Sequence, residues 1–253
     1  GASGFIASQF VAKAPADGYT VLMTSNTTHA ANQHLYKKLP YDPVKDFSPV
    51  ALLSKGHMAL LVNPASPIKT VGDLLAEAKR RPGKLSFGSG SSSSRVAGEL
   101  LQQMSGIEVL HVPYKSNPFA ITDLLGGQID FMFADTSTAV PQINGGKLRA
   151  LGVSGTKRLT SLPNIPTVDE AGVKGYDMSY WSAVYLPPNT PPAVVKKLNE
   201  MFAKAASAPG VQSLLATTSS SPSHSTPEGL ATFQAEESLK WGRVIKAAGI
   251  QPE

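Results

Sequence analysis

The chain has 253 residues, 42% of them hydrophobic and 16% charged, with a net charge of +5 and no cysteine. That length suits one large domain or two small ones, and the lack of cysteine excludes disulfides, thiol catalysis and cysteine-ligated metals. No apolar run reaches the length of a membrane span, and the short basic runs, such as Lys79 to Arg81, lack the interleaved aromatics of a nucleic-acid stripe.

An amphipathic helix is expected first, with Phe5, Ile6, Phe10 and Val11 for packing. A turn at Pro15 to Tyr19 leads to a strand over 20–24, and Ser25, Asn26, Thr27 and His29 open a helix that reaches about Tyr36. Residues 50–62 read as two strands or one long bent strand. Thr70 caps the next helix with Asp73 three residues on, and Pro82 and Gly83 end it. Further strands are expected over 109–114, 129–134 and 148–153, with helices over 118–125 and up to Ile143 between them. Residues 154–174 are loop-like, with one short helix capped by Thr167. An apolar strand over 178–186 carries Trp181. A helix then starts near Pro191, where proline suits the first turn. A last helix begins at Thr226, packs through Leu230, Phe233, Leu239, Trp241, Val244 and Ile245, and stops at Gly249. Strands alternating with helices throughout give an α/β protein with a mostly parallel sheet.

Between the helix ended by Pro82 and the strand from Val109 lies the segment richest in chemistry. From Lys84 it reads as a short strand that breaks at Gly88 and Gly90, passes Ser89, runs through Ser91, Ser92, Ser93 and Ser94, and enters a helix carrying Val96, Leu100, Leu101 and Met104. A helix start has unpaired backbone N–H groups and the positive end of the macrodipole, so a carboxylate or phosphate set there gains several hydrogen bonds. Serine hydroxyls add donors. Alternatively, Ser92 or Ser93 simply caps the helix. The segment lacks the third glycine of a dinucleotide fingerprint, the Gly-Lys-Ser/Thr of a phosphate loop and the Gly-x-Ser-x-Gly of a hydrolase elbow. The five histidines do not group at metal-ligand spacing, so neither a metal nor a cofactor is expected.

Several segments together resemble one family. These are residues 15–22, the stretch 26–29, residues 40–50, Gly88 to Gly90 with 97–101 beyond it, His111 to Lys115, residues 122–128, residues 146–153, and the tail from Trp241 to Ile250. In this order, and over nearly the whole chain, they resemble the Bug periplasmic solute-binding proteins of tripartite tricarboxylate transporters. The resemblance implies an α/β, two-lobed periplasmic binding protein (type II, Venus flytrap), each lobe a mixed sheet flanked by helices. Lobe one would comprise 1–59 and 181–253, and lobe two 60–180. It also implies a monomeric, non-enzymatic receptor in the periplasm after signal cleavage. Such a receptor holds a small carboxylate between its lobes and delivers it to membrane permease subunits. Dicarboxylates, tricarboxylates, acidic amino acids and aromatic carboxylates all suit a pair of helix N-termini.

Carried over by position, Ser89 and Ser91 to Ser94 grip one carboxylate from lobe two, and Ser25, Asn26, Thr27 and His29 face it from lobe one. Asp135 and Thr136, at the C-terminal end of a strand, sit where open α/β sheets place ligand contacts; alternatively they cap the next helix. Tyr114 either walls the site or is packed, and Trp181 is hinge or core. Family members begin with a further strand, a Pro-Gly-Gly loop, a helix and a second strand. On that comparison Gly1 to Gly4 are the tail of the region, and either the sequence starts late or lobe one is incomplete. Ser116 and Asn117 stand where the family tends to have glycines. The rival readings are a small-molecule hydrolase using a cradle serine and a ligand sensor on the same fold. The hydrolase lacks a well-placed base, because His111 falls inside a strand.

Overall fold

A computed structural model describes residues 2–217 and 220–252; Gly1, where the expected lobe one begins, lies outside them. In chain order the strands are β1 (Leu22–Ser25), β2 (Ser48–Val62), β3 (Ser86–Ser89), β4 (Leu110–Pro113), β5 (Phe131–Asp135), β6 (Arg149–Val153), β7 (Ser179–Leu186) and β8 (Ser221–Pro222). The helices are α1 (Phe5–Ala12), α2 (Asn32–Leu35), α3 (Val71–Arg80), α4 (Ser92–Ser105), α5 (Asn117–Leu125), α6 (Thr136–Asn144), α7 (Pro192–Ala206), α8 (Pro209–Thr217) and α9 (Pro227–Ala247). The chain divides into two compact units. The first is Gly1–Lys55, Trp181–Leu215 and Ser221–Glu253, and the second is Gly56–Tyr180 with Ala216–Ser220.

In the second unit the end of β2 lies between β6 and β5, antiparallel to both, and β3 lies parallel between β5 and β4. Side chains alternate across this sheet. Ala59, Leu61, Met132 and Ala134 pack on one face with Ala120, Ile121 and Leu124 of α5 and Ala139 of α6. On β5, Phe131 and Phe133 take the alternate positions; Phe131 stacks on Phe87 at 5.7 Å and Phe133 on Tyr176 at 5.8 Å. Both faces are covered, which is why β5 reads as an unbroken apolar run. On α4, Val96, Leu100 and Leu101 are buried as the periodicity requires, and Gly98 lets the ring of Phe87 lie against the helix.

In the first unit β7 pairs antiparallel with β1 and neighbours β2, whose Ser54 and Lys55 pair with β8. Val50, Ala51, Val184 and Leu186 form a core covered by Val195, Leu198 and Phe202 of α7. Trp181 is core: its indole N–H donates to Glu237 Oε2 at 3.0 Å, and the indole of Trp241 donates to the same oxygen at 3.3 Å.

The expected mostly parallel sheet is mixed, because β2 runs antiparallel to β5, β6 and β8 and β7 runs antiparallel to β1, leaving β3 with β4 and β5 as the parallel pairs described; the other differences have local causes. β2 is one strand, and Gly56 within it accommodates the ring of Tyr180, whose Cζ lies 2.4 Å from where a Cβ would stand. Thr167 caps as expected, exchanging reciprocal bonds with Glu170 at 2.9 and 3.0 Å, but a turn follows instead of a helix, and Gly172 takes φ +115°. Helix α1 buries Val11 yet leaves Ile6 72% and Phe10 70% exposed, and α9 leaves Leu239 68% exposed. The helix α8 was missed because Pro209 and Gly210 look like a break.

Candidate functional site

Each of the three parallel strands in the second unit runs directly into a helix. β3 ends at Ser89 and α4 starts at Ser92, β4 ends at Pro113 and α5 starts at Asn117, and β5 ends at Asp135 where α6 begins. Because β3 lies between the other two and all run the same way, three helix N-termini gather at one sheet edge. Helix dipoles and first-turn amides make that edge favourable for an anion. Gly90 sets the close approach: a Cβ there would lie 2.0 Å from the carbonyl carbon of Ser116 and 2.1 Å from the amide nitrogen of Asn117.

The serines divide between the two readings. Ser91 is the N-cap, its Oγ accepting from the Ser94 amide at 3.2 Å, while Ser94 Oγ accepts from the Ser91 amide at 3.0 Å and the Gly90 amide at 3.2 Å. Both hydroxyls therefore hold the loop. Ser89 Oγ lies 2.7 Å from His111 Nε2, and the His111 ring stacks on Phe87. Ser92 and Ser93 occupy the first turn of α4 and are buried.

Asn117 is the residue that the sequence reading noticed only as a departure from glycine. Its Oδ1 accepts from the Gly90 amide and from Ser94 Oγ, both at 3.1 Å, and its Nδ2 donates to Asp135 Oδ2 at 3.5 Å. One side chain thus ties the starts of α4, α5 and α6 together. An amide just before Pro118 at a helix start was the available signal. Asn117→Ala is expected to cost about 1–3 kcal/mol, because it removes the bonds that join the Gly90 amide and Ser94 Oγ to α5 and the Asp135 carboxyl to both; urea denaturation would measure it.

Asp135 holds the N-cap position of α6, but its side chain accepts no bond from the helix. Desolvation raises its carboxyl to about 6 against the opposing hydrogen bond from Asn117. Thr136 Oγ1 is fully buried and has no hydrogen-bond partner among the described residues. A buried hydroxyl left in that state costs about 1–3 kcal/mol. Tyr114 goes to packing: its hydroxyl donates to Asp123 Oδ2 at 2.8 Å, its ring lies against Gly88, and desolvation with the Asp123 carboxylate raises its pKa to about 12.

The group expected from lobe one lies in the first unit. Thr27–Ala31 forms a single turn of π-helix. Asn26 is wholly buried, and its Oδ1 accepts from the Trp181 amide at 3.2 Å. His29 is wholly buried too, stacked on Tyr185 at 3.9 Å with the edge of Phe47 at 4.7 Å, and its Nδ1 lies 2.8 Å from Thr28 Oγ1. Burial lowers its pKa to about 3, so the ring is neutral. Expected to face a ligand, Asn26 and His29 instead stand in the unit's interior, where the buried imidazole completes an aromatic cluster. Ser25 Oγ accepts from the Thr27 amide at 3.3 Å, and both residues are partly exposed.

Among the described residues no helix is long and apolar enough to cross a membrane, and no three His, Asp or Glu side chains gather as a metal site would need.

Comparison with known proteins adds the family. The model of the tripartite tricarboxylate transporter family receptor matches residues 1–250. A Pseudomonas protein known as the UPF0065 protein in the tcbD-tcbE intergenic region is 36% identical, over 97% of this chain and 74% of its own length. Among solved structures, Rpa4515 of R. palustris with adipate superposes with a TM-score of 0.96 at 33% identity, covering 100% of this chain and 85% of that one. The periplasmic binding protein BugD gives 0.93 at 30% identity, covering 100% and 86%. The fold is therefore that of the two-lobed periplasmic binding proteins, of which BugD is one, and the matching family model describes transporter receptors, not enzymes.

Proposed function

The chain belongs to the tripartite tricarboxylate transporter receptor family, and from that membership we propose that it is a periplasmic receptor which captures a small carboxylate and delivers it to the membrane permease subunits of such a transporter. The observation that carries the site assignment is the buried, unpartnered hydroxyl of Thr136 at an edge where three helix N-termini gather. A carboxylate there accepts from that hydroxyl and from the first turn of α4, where Ser92 and Ser93 stand. Ser91 and Ser94 act one step back, fixing the loop. A dicarboxylate is the favoured class, since the similar Rpa4515 was solved with adipate. The Ser89–His111 pair is the feature a hydrolase would use, but membership in a receptor family favours capture without chemistry.

A thermal-shift screen against adipate, malate, citrate, glutamate and benzoate, with the matching neutral amides as controls, tests the proposal. Ligands that bind the native state raise the midpoint by mass action. An acid that shifts it while its amide does not is the expected result; a well-folded sample that responds to none of the acids sinks the reading. Two variants test the site. Ser92→Ala combined with Ser93→Ala should weaken binding without unfolding the protein. Thr136→Val should weaken binding by about 2- to 10-fold, the worth of one hydrogen bond, while leaving the ligand-free protein as stable or more so. A Thr136→Val protein that binds normally but melts earlier would assign that hydroxyl to the fold instead.

A further inference from the structure

A carboxyl group stands at the very edge assigned to an anion, which poses an electrostatic problem. Ionised, Asp135 is acceptor-only and repels a second carboxylate; protonated, it becomes a donor. The surroundings do little to hold its charge. It sits at the N-cap of α6 without accepting a bond from that helix, and the hydrogen bond it accepts among the described residues, from Asn117 Nδ2, is long at 3.5 Å. Asn117 in turn contacts the Gly90 amide and Ser94 Oγ, so the carboxyl is one side chain away from the start of α4. Next to it in the chain, the Thr136 hydroxyl is buried without a partner.

Among the described residues no titratable group on the surrounding elements bonds Asp135. On β2, Met58 is the residue opposite Asp135, and His57 Nδ1 lies 3.5 Å from the Met178 carbonyl. Arg95 of α4 acts on Glu99, His111 of β4 bonds Ser89, Asp123 of α5 accepts from Tyr114, Asp130 before β5 accepts from Ser86, Lys115 is exposed, and α6 carries no titratable residue.

Resting on the receptor reading above, we propose that Asp135 serves as a neutral carboxylic acid in ligand capture, donating a hydrogen bond to the bound carboxylate, so that the receptor takes up one proton with its ligand. The balance is simple: an ionised ligand carboxylate, an ionised Asp135 and one proton from solvent give the bound carboxylate hydrogen-bonded by the Asp135 carboxyl. Burial already raises that carboxyl to about 6, and an adjacent bound anion raises it further. Asp135 is then a specificity device as well. A ligand offering only acceptors at this point binds with a proton, whereas a ligand offering an ammonium group there pairs with the ionised form and needs none.

The test is calorimetry with adipate between pH 7 and 8.5, where free carboxylates are ionised, run in two buffers of different ionisation heat. Uptake close to one proton per ligand is expected, with affinity falling about tenfold per pH unit. Asp135→Asn should bind without proton uptake and with a flat pH profile. Adipate binding that is independent of pH, that strengthens as pH rises, or that retains proton uptake in Asp135→Asn overturns the inference and leaves the receptor reading intact. The wild-type proton count decides the matter even if the variant does not fold. A chain that binds neither adipate nor any other acid of the screen overturns both.

Discussion

Replacing Gly90 by alanine is expected to abolish carboxylate binding and to destabilise the second unit by about 3 kcal/mol or more, at the upper end of overpacking costs. The new methyl would stand 2.0 Å from the Ser116 carbonyl carbon and 2.1 Å from the Asn117 amide nitrogen. These are backbone atoms at a helix start, so no side chain can swing aside. The loop between β3 and α4 would have to lift away from α5, breaking the bond from the Gly90 amide to Asn117 Oδ1. Gly72→Ala is the control. It lies inside α3, its nearest neighbour would be Thr70 Oγ1 at 3.6 Å, and alanine there should stabilise by up to about 1 kcal/mol. Urea denaturation and adipate calorimetry on both variants would measure the contrast. A Gly90→Ala protein that matches wild type in both would mean that the approach of the two loops is not needed.

Gly90 also marks where sequence reasoning reached and where it stopped. A strand that breaks at glycines and enters a helix through serines has few physical solutions, so the cradle was legible, as was the Thr70–Asp73 box, whose partners are three residues apart. The division of labour among the serines was not. Whether Ser94 faces a ligand or a loop depends on Asn117, brought to it because β4 pairs beside β3. His29 was misread for the same reason: its neighbours Phe47 and Tyr185 come from distant parts of the chain, and a histidine in a polar run gives no hint of an aromatic cavity. Local chemistry located the junction of strand and helix, and long-range pairing decided which of its side chains hold the loop.

Acid should weaken the first unit and strengthen the second, because desolvation shifts His29 in the one and Asp135 in the other with opposite consequences for stability. His29 is held neutral with its pKa lowered from 6.5 to about 3. Between those values the unfolded chain binds a proton that the native ring refuses. Its contribution is therefore intact above pH 6.5 and falls by about 1.4 kcal/mol per pH unit on acidification, roughly 4 kcal/mol by pH 3.5. His34, lowered by burial as well, adds to the same sign. Asp135 runs the other way. Its carboxyl is raised to about 6, so its contribution is full below pH 4 and is lost as pH rises through 6, on the order of 3 kcal/mol by pH 7. Over the interval from pH 7 to 4 these two terms nearly cancel in a whole-chain melt. A flat Tm against pH would thus hide two steep, opposed slopes. Hydrogen exchange followed segment by segment, corrected for the intrinsic rate, separates them: protection in β1, β7 and α9 should fall with acid while that in β3, β5 and α4 rises. His29→Leu should flatten the first trend alone and Asp135→Asn the second alone. If instead both units lost protection together in wild type and neither variant changed the slopes, the titrations that control acid stability would lie elsewhere, and the Asp135 carboxyl would not be raised in the native chain.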